Sequence, residues 1–197
     1  RRISQTDPLG HTTTIAYDAA GNVTGVMDAL GHTTTYGYDD ANRRTQVTDA
    51  AGHTTTFQYD PDGNVTGTID PGNYLTIYTY DALGRRSTVT LPGSTASTTL
   101  YDAVGNVTSS SDPSGAATTY SYDGNNRQIT VTSANHETTT IAYDANGQVD
   151  QVTDASNNVT AYEYDVAGRK IRMIDPLGKS VTYGYDAANR LTTQRDR

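Results

Sequence analysis

Aspartate is the residue type in this sequence whose spacing most invites a chemical role, because it recurs in Asp-x-x-Gly tetrapeptides along the chain. Closely paired carboxylates could serve acid–base catalysis, and clustered carboxylates could bind calcium. Equivalent aspartates recur every 21 residues. If two strands separate them, their carboxylates lie about 10 Å apart, too far to share an ion or act as a glycosidase pair. We therefore interpret these aspartates as residues that cap turns.

Histidine suggests a metal site only superficially. His11, His32 and His53 share one position in three consecutive units, whereas His136 is shifted by one residue. The same spacing of about 10 Å prevents any two of them from sharing a tetrahedral zinc ion. The chain has no cysteine, no serine with a recognisable oriented base and no phosphate-binding loop. We predict a protein that is not an enzyme, with no cofactor and no metal.

Tyrosine and arginine could support binding. Rows of tyrosine could stack on sugar rings, but packing of a sheet poor in Leu and Ile is the interpretation we favour. Five arginines follow turns and are expected to lie along neighbouring tyrosine rings or aspartate caps: Arg43, Arg85, Arg127, Arg169 and Arg190. Four Asn-Val-Thr sequons could be glycosylated in a host that performs this modification: Asn22, Asn64, Asn106 and Asn158.

The composition indicates a sheet and excludes two classes of partner. Hydrophobic residues make up 34% of the 197 residues, and tyrosine contributes 15 of them. Tyrosine and the abundant threonine favour the half-buried surface of a strand. The net charge of −8 disfavours nucleic acid and anionic membrane surfaces. No apolar run is long enough for a transmembrane helix, so we expect no membrane insertion.

A fixed repeat organises the whole chain. A Tyr-Asp pair recurs every 21 residues without an insertion. The nine pairs are Tyr17-Asp18, Tyr38-Asp39, Tyr59-Asp60, Tyr80-Asp81, Tyr101-Asp102, Tyr122-Asp123, Tyr143-Asp144, Tyr164-Asp165 and Tyr185-Asp186. We predict one array over residues 1–197, with nine units over 7–195 and a partial strand over 1–6.

Each 21-residue unit contains two turn signals separated by stretches rich in Thr, Val and Tyr, which predicts a β-hairpin and its connection. In a type I turn closed by a bulge, aspartate at the first position accepts a hydrogen bond from the backbone two residues on. Glycine at the fourth position adopts a positive φ without strain, and asparagine is expected to replace it in three turns. Those residues are Asn42, Asn126 and Asn189.

The bulged turn also predicts a register. If Asp18 pairs with Asn22, then Tyr17 faces Val23, Ile15 faces Gly25 and Thr13 faces Met27. One face would then collect the large residues, including Met27, and would be buried or turned inward. The opposite face would collect small and polar residues together with Val26.

A slower alternation overlies the 21-residue repeat. The residue after the Tyr-Asp turn is Asn or Gln in some units and Arg in the others. The residue two before the Tyr-Asp pair alternates as well, with Tyr36, Tyr78, Tyr120 and Tyr162 against Ile15, Phe57, Thr99 and Ile141. We infer duplication of a 42-residue pair of hairpins.

The segments YTYDALGR (78–85) and YEYDVAGR (162–169) resemble the YD, or Rhs, repeat, and the similarity covers the whole chain. The resemblance implies a long antiparallel sheet that coils into a curved or spiral shell, as in Rhs polymorphic toxins, toxin-complex shell proteins and teneurins. The structural signature residues are the tyrosines and aspartates of the nine pairs with Gly21, Gly63, Gly84, Gly105, Gly147 and Gly168.

These observations predict an all-β, non-enzymatic scaffold segment of a large secreted or surface protein that encloses or presents a toxin or effector domain, and the resemblance implies a bacterial source. We expect the sequence to be a segment of a longer polypeptide, so its expected partner is the remainder of that polypeptide. The alternative is an extracellular adhesion or carbohydrate-binding module that binds glycans, or identical chains through the edges of its sheet.

Overall fold

The computed structural model describes residues 2–196 as strands joined by tight turns. Within these residues there are nineteen strands and no helix, which confirms the all-β prediction. The strands are rich in Thr, Val and Tyr, whose side chains suit a pleated surface. The predicted partial strand over 1–6 is observed as β1 from Arg2, while Arg1 lies outside the described residues.

Residues 1–98 form one compact unit and residues 99–197 another. The strands up to the end of the first unit are β1 Arg2–Thr6, β2 Thr12–Tyr17, β3 Val23–Met27, β4 Thr33–Tyr38, β5 Arg44–Thr48, β6 Thr54–Tyr59, β7 Val65–Ile69, β8 Leu75–Tyr80, β9 Arg86–Leu91 and β10 Thr95–Tyr101. Consecutive strands of this unit pair antiparallel, so the unit is a meander of hairpins.

The strands of the second unit repeat the same arrangement. They are β11 Val107–Ser111, β12 Ala117–Tyr122, β13 Gln128–Thr132, β14 Thr138–Tyr143, β15 Val149–Thr153, β16 Val159–Tyr164, β17 Lys170–Ile174, β18 Ser180–Tyr185 and β19 Leu191–Asp196. Their pairing is again antiparallel between consecutive strands. Whether residues 1–197 behave as a single array stays a prediction.

The predicted turn is present between paired strands. In the turn that starts at Asp39, the amide of Asp39 donates to the carbonyl of Arg43 at 3.0 Å, and the amide of Asn42 donates to the carbonyl of Asp39 at 2.9 Å. Asn42, Asn126 and Asn189 have φ values of 59°, 61° and 62°, which confirms asparagine at the left-handed position. The six signature glycines also have positive φ, from 74° at Gly84 to 106° at Gly105.

The predicted register is right at the turn and wrong beyond it. Tyr17 pairs with Val23 as predicted, but Ile15 pairs with Val26 rather than Gly25, and Met27 pairs with Thr14 rather than Thr13. The cause is a second β-bulge, between Ala16 and Tyr17, that the sequence analysis did not include. The same bulge recurs in eight hairpins of the described chain.

The bulge changes which residues share a face. Val26 lies on the face of the tyrosines and Met27 on the face of the threonines, the reverse of the prediction. The large residues two before each Tyr-Asp pair therefore oppose a valine or its equivalent. These pairs are Ile15 with Val26, Tyr36 with Val47, Phe57 with Thr68, Tyr78 with Val89, Tyr120 with Val131, Ile141 with Val152 and Tyr162 with Met173.

Both faces of the sheet remain accessible. Among residues 3–196 no hydrophobic side chain is buried, and Ser180 is the one polar side chain that is. The tyrosine face is half-buried and not buried, because the strands of each unit contact only their sheet neighbours; the alternative, that this face is turned inward, stays a prediction. Over residues 2–196, no helix combines the length and apolar character needed to cross a bilayer.

Candidate functional site

The turn aspartates are the most densely hydrogen-bonded side chains of the repeat. The Oδ1 atom of Asp39 accepts from the amide of Ala41 at 3.0 Å and from the amide of Arg43 at 2.9 Å. Equivalent bonds recur in most turns of the described chain, including that of Asp123. The predicted acceptance from the backbone two residues on is therefore observed, and these carboxylates fix the turns.

The second carboxylate oxygen binds the side chain that follows the turn. Arg43 donates from Nε to the Oδ2 atom of Asp39 at 2.7 Å. The same 2.7 Å bond joins Arg85 to Asp81, Arg127 to Asp123, Arg169 to Asp165 and Arg190 to Asp186. The backbone and side-chain bonds from Arg43 hold the pKa of Asp39 below its usual value, despite an opposing desolvation effect.

Each of the three aligned histidines contacts the aspartate of its own turn. The Nδ1 atoms of His11, His32 and His53 lie 2.9, 2.9 and 3.0 Å from the Oδ2 atoms of the aspartates four residues earlier. His136 occupies the fourth turn position with a φ of 63°, which accounts for its shift by one residue. Within residues 2–196, no three His, Asp or Glu side chains are arranged to hold a metal ion.

Most signature tyrosines of the described chain connect their repeat to the one before it, a role that the sequence analysis missed. The hydroxyl of Tyr38 donates to the carbonyl of Val23 at 2.8 Å, and that of Tyr80 donates to Val65 at 2.7 Å. Four more bonds span the same 15 residues: Tyr59 to Arg44, Tyr122 to Val107, Tyr143 to Gln128 and Tyr185 to Lys170. The constant distance of the tyrosine from the preceding second strand was the available signal.

The accepting carbonyl explains why a tyrosine stands there. Val23 begins β3 at the bulge, where two residues of one strand face a single residue of the other. Such a bulge interrupts the ladder, and a polar backbone group that loses its partner needs another. The hydroxyl of Tyr38 reaches this carbonyl from the next hairpin. In at least six hairpins of the described chain, the bulge is thus completed by the following repeat.

The arginines contact tyrosine rings as well as aspartate caps, so both predicted environments are present. The guanidinium carbon of Arg43 lies 4.7 Å from the ring centre of Tyr59, and that of Arg127 lies 4.4 Å from Tyr143. The Nη1 atom of Arg43 also donates to the carbonyl of Asp60 at 2.7 Å. One side chain therefore joins its own turn to the next turn and to the next signature tyrosine.

In some other repeats, asparagine occupies the position of Arg43 and contacts the next turn without reaching a tyrosine ring. The Nδ2 atom of Asn22 donates to Asp18 at 3.0 Å and to the side-chain oxygen of Asn42 at 2.7 Å. Asn106 donates likewise to Asp102 and to Asn126. Both hydrogens of the sequon nitrogen are therefore engaged at Asn22 and Asn106, so attachment of a sugar there would break one of these bonds.

A second set of cations lies over the tyrosine face. Arg44 stands 5.9 Å from the ring centre of Tyr36 and 5.5 Å from that of Phe57. Lys170 stands 5.5 Å from Tyr162 and 5.1 Å from Tyr183. Sequence reasoning missed this set, although the basic doublets at 43–44 and 169–170 marked it. Together, these contacts join side chains of neighbouring repeats and hold adjacent strands together.

Burial distinguishes one further signature residue. Removal of water from its hydroxyl raises the pKa of Tyr164, and nearby Tyr162 adds to this effect. Tyr17 and Tyr101 close β2 and β10, the positions that the other signature tyrosines occupy in their own hairpins. The signature tyrosines thus share one position, at the hairpin end of the first strand.

Solved structures with this fold belong to much longer chains. The crystal structure of TcdB2-TccC3 without its hypervariable C-terminal region matches 100% of this chain at 14% identity with a TM-score of 0.65. The crystal structure of TcdB2-TccC3-Cdc42 matches 99% at 14% identity with a TM-score of 0.60. This chain spans 15% of the length of either one. A comparison with curated proteins gave no significant match.

The sequence model of the RHS repeat matches almost the entire chain in seven overlapping or adjoining segments. They are residues 1–26, 17–56, 44–74, 59–96, 101–138, 143–179 and 171–197. The matched segments contain the Tyr-Asp turns and the second strands that the signature tyrosines bind. The chain therefore belongs to the RHS repeat family.

Proposed function

We propose that this chain is a non-enzymatic wall segment of a shell, within a large secreted or surface protein of a bacterium, and that the shell encloses or presents a toxin or effector domain. The observation that carries the proposal is the completion of most hairpins by the next one through the signature tyrosine. Such nearest-neighbour bonding lets an array grow by any number of units without a separate core.

The uncovered tyrosine face supports the same role. Its large residues are half-buried within each unit and leave a surface that another part of the polypeptide could cover. The solved structures with this fold are those of TcdB2-TccC3 chains, of which this chain spans 15%. A wall segment of a longer protein fits that proportion, and its principal partner would be the remainder of the same polypeptide.

Cryo-electron microscopy of the full-length polypeptide that contains this chain tests the proposal directly. We expect a curved, single-layered sheet around an interior, with the Tyr36 face turned toward the enclosed volume. Limited proteolysis should spare the enclosed domain while the wall is intact and cleave it once the wall is unfolded. A solid particle with no enclosed volume, or a cargo domain cleaved at once, would reject the proposal.

Carbohydrate binding is the second candidate, because a row of tyrosines lies on an accessible face. Sugar stacking needs free ring faces. Arg44 already stands over Tyr36, and Lys170 stands over Tyr162, so the rings are partly occupied. Glycan-array screening separates the two functions. Saturable binding that a Tyr36→Ala change removes would establish the module, and its absence agrees with a wall.

A further inference from the structure

The arginine repeats define a guanidinium site that one asparagine repeat leaves open. In the repeat of Arg43, the guanidinium stands between the carboxylate of Asp39, the ring of Tyr59 and the carbonyl of Asp60. Arg169 repeats this arrangement with Asp165, the ring of Tyr185 and a longer 3.5 Å approach to the next turn. A cation is thus a built-in component of the junction between consecutive turns.

The repeat of Asn64 has the same surroundings without the cation. The equivalent positions are the carboxylate of Asp60, the ring of Tyr80 and the backbone of Asp81. The amide of Asn64 reaches Asp60 at 2.9 Å, as the arginine does, but its side chain is too short to extend over the ring. A cavity of about 640 Å³ occupies this place and is lined by all four residues.

In the asparagine repeats, the residue at the end of the next turn decides whether the junction is closed. Asn22 bridges to Asn42 at 2.7 Å, and Asn106 bridges to Asn126 at 3.0 Å. After Asn64 the corresponding position is Gly84, which has no side chain, and a Cβ atom built there meets nothing within 4 Å. The coincidence of Asn64 with Gly84 leaves this junction open.

Charge favours a cationic occupant. Asp62 adds a second carboxylate to the cavity wall beside Asp60, while the carboxylate of Asp81 is already bound by Arg85 at 2.7 Å. A cation over the Tyr80 ring with carboxylates at its edge would meet the groups that hold Arg43 in its own repeat. We propose that the cavity between Asn64 and Gly84 binds an arginine side chain supplied by another polypeptide segment. This inference does not depend on the shell function.

The test is a titration of the full chain with N-acetyl-arginine amide. Binding is measured by NMR, from the chemical-shift changes of backbone amides near Tyr80. We expect saturable binding at one site, at least tenfold weaker for N-acetyl-citrulline amide, which has the same shape without the charge. Absence of saturable binding by the arginine probe, or equal binding of both probes, would overturn the proposal.

Three variants locate the site. Asn64→Arg should fill the cavity from within and abolish binding, as Arg43 fills its own junction. Gly84→Asn should close the cavity with a side-chain bridge. Asparagine tolerates the φ of +74°, and its side-chain oxygen can accept from Asn64 as that of Asn42 does from Asn22. Arg43→Asn places asparagine before Gly63 and should create a second site. Unchanged binding in the first two variants, or one site in the third, would refute the assignment.

Discussion

At the scale of single residues, the signature tyrosine acts through its hydroxyl as much as through its ring. Tyr122 donates to the carbonyl of Val107 at 2.8 Å, while Tyr120 on the same strand pairs with Val131 across the sheet. A phenylalanine could replace the packing of either ring. Only the hydroxyl of Tyr122 supplies the donor that completes the preceding bulge.

Tyr122→Phe should therefore lower the free energy of unfolding by about 1 kcal/mol, since it leaves a carbonyl of the preceding repeat without that donor. Urea denaturation measures the change. Tyr120→Phe is the matched control and should cost less than about 0.5 kcal/mol, because surface-type changes away from such bonds are small. Equal effects of the two changes would contradict the role given to the hydroxyl.

At the scale of the hairpin, the sequence was sufficient for the turns and insufficient for the full register. Aspartate and glycine at fixed turn positions act locally, so Asn42 and Asn126 could be assigned a positive φ from the sequence. The second bulge is accompanied in most hairpins by a bond between repeats, such as that from Tyr38 to Val23, and local turn chemistry reveals neither of them. Thr24 and Val26 suit either face of a strand, so composition could not correct the error.

The candidate site was likewise predictable from the sequence only in part. The aspartate caps and the two environments of Arg43 were predictable, because they follow from the turn and from adjacent strands. The open junction at Asn64 was not, since it depends on a residue 20 positions later, Gly84, and on the space between them. Pairs of positions in successive repeats, not single motifs, carry that information.

A change of turn residue tests the local part of this argument. Asn73 has a φ of 63°, which glycine adopts freely and a β-branched residue resists. Asn73→Gly should change the free energy of unfolding by less than about 0.5 kcal/mol, and Asn73→Val should lower it by about 1–2 kcal/mol. Thermal and urea unfolding check both values. If valine is tolerated as well as glycine, the turn conformation is not what selects asparagine.

At the scale of the whole molecule, each of the two units is held together by contacts between neighbouring strands and not by a hydrophobic core. No hydrophobic side chain is buried among residues 3–196, and the strands of each unit contact only adjacent strands. Stability should then depend on the integrity of the repeat period. In such arrays it is close to a sum over repeats and their interfaces.

Deletion of residues 39–59 joins Tyr38 to Asp60 and removes one complete period. We expect the shortened chain to keep its strand content by circular dichroism and to unfold cooperatively, with a smaller denaturant slope because less surface is exposed. Deletion of residues 39–58 is the control. It leaves one extra residue, which would turn the following strand over, so its stability should fall sharply. Equal stability of both chains would contradict the fixed register.

The turn carboxylates predict the response to acid. Thirteen aspartates have a pKa below the ordinary value of 3.8, chiefly through hydrogen bonds from the residue that follows their turn or lies within it. Because the folded state ionises them more readily, they contribute stability above that value and lose it as the pH falls through the lower folded pKa.

The melting temperature should therefore decline steeply once the pH drops below about 4, in a series of thermal melts at fixed ionic strength. Asp123→Asn removes one titrating carboxylate and should flatten the decline. A melting temperature that rises on acidification to this range would show that the carboxylate bonds do not favour the folded state.

The bond from Tyr38 back to Val23 has a further consequence for synthesis. Because translation proceeds from the N-terminus, a hairpin leaves the ribosome before the tyrosine that will finish it. Tyr38 lies 15 residues after Val23 and 11 residues after Met27, the end of β3, so each nascent hairpin is completed soon after it forms, when the next hairpin pairs with it. We therefore expect assembly to advance stepwise with elongation. Ribosome-bound chains whose last hairpin has emerged without the signature tyrosine of the next repeat should be cleaved more readily in that hairpin than chains from which this tyrosine has also emerged.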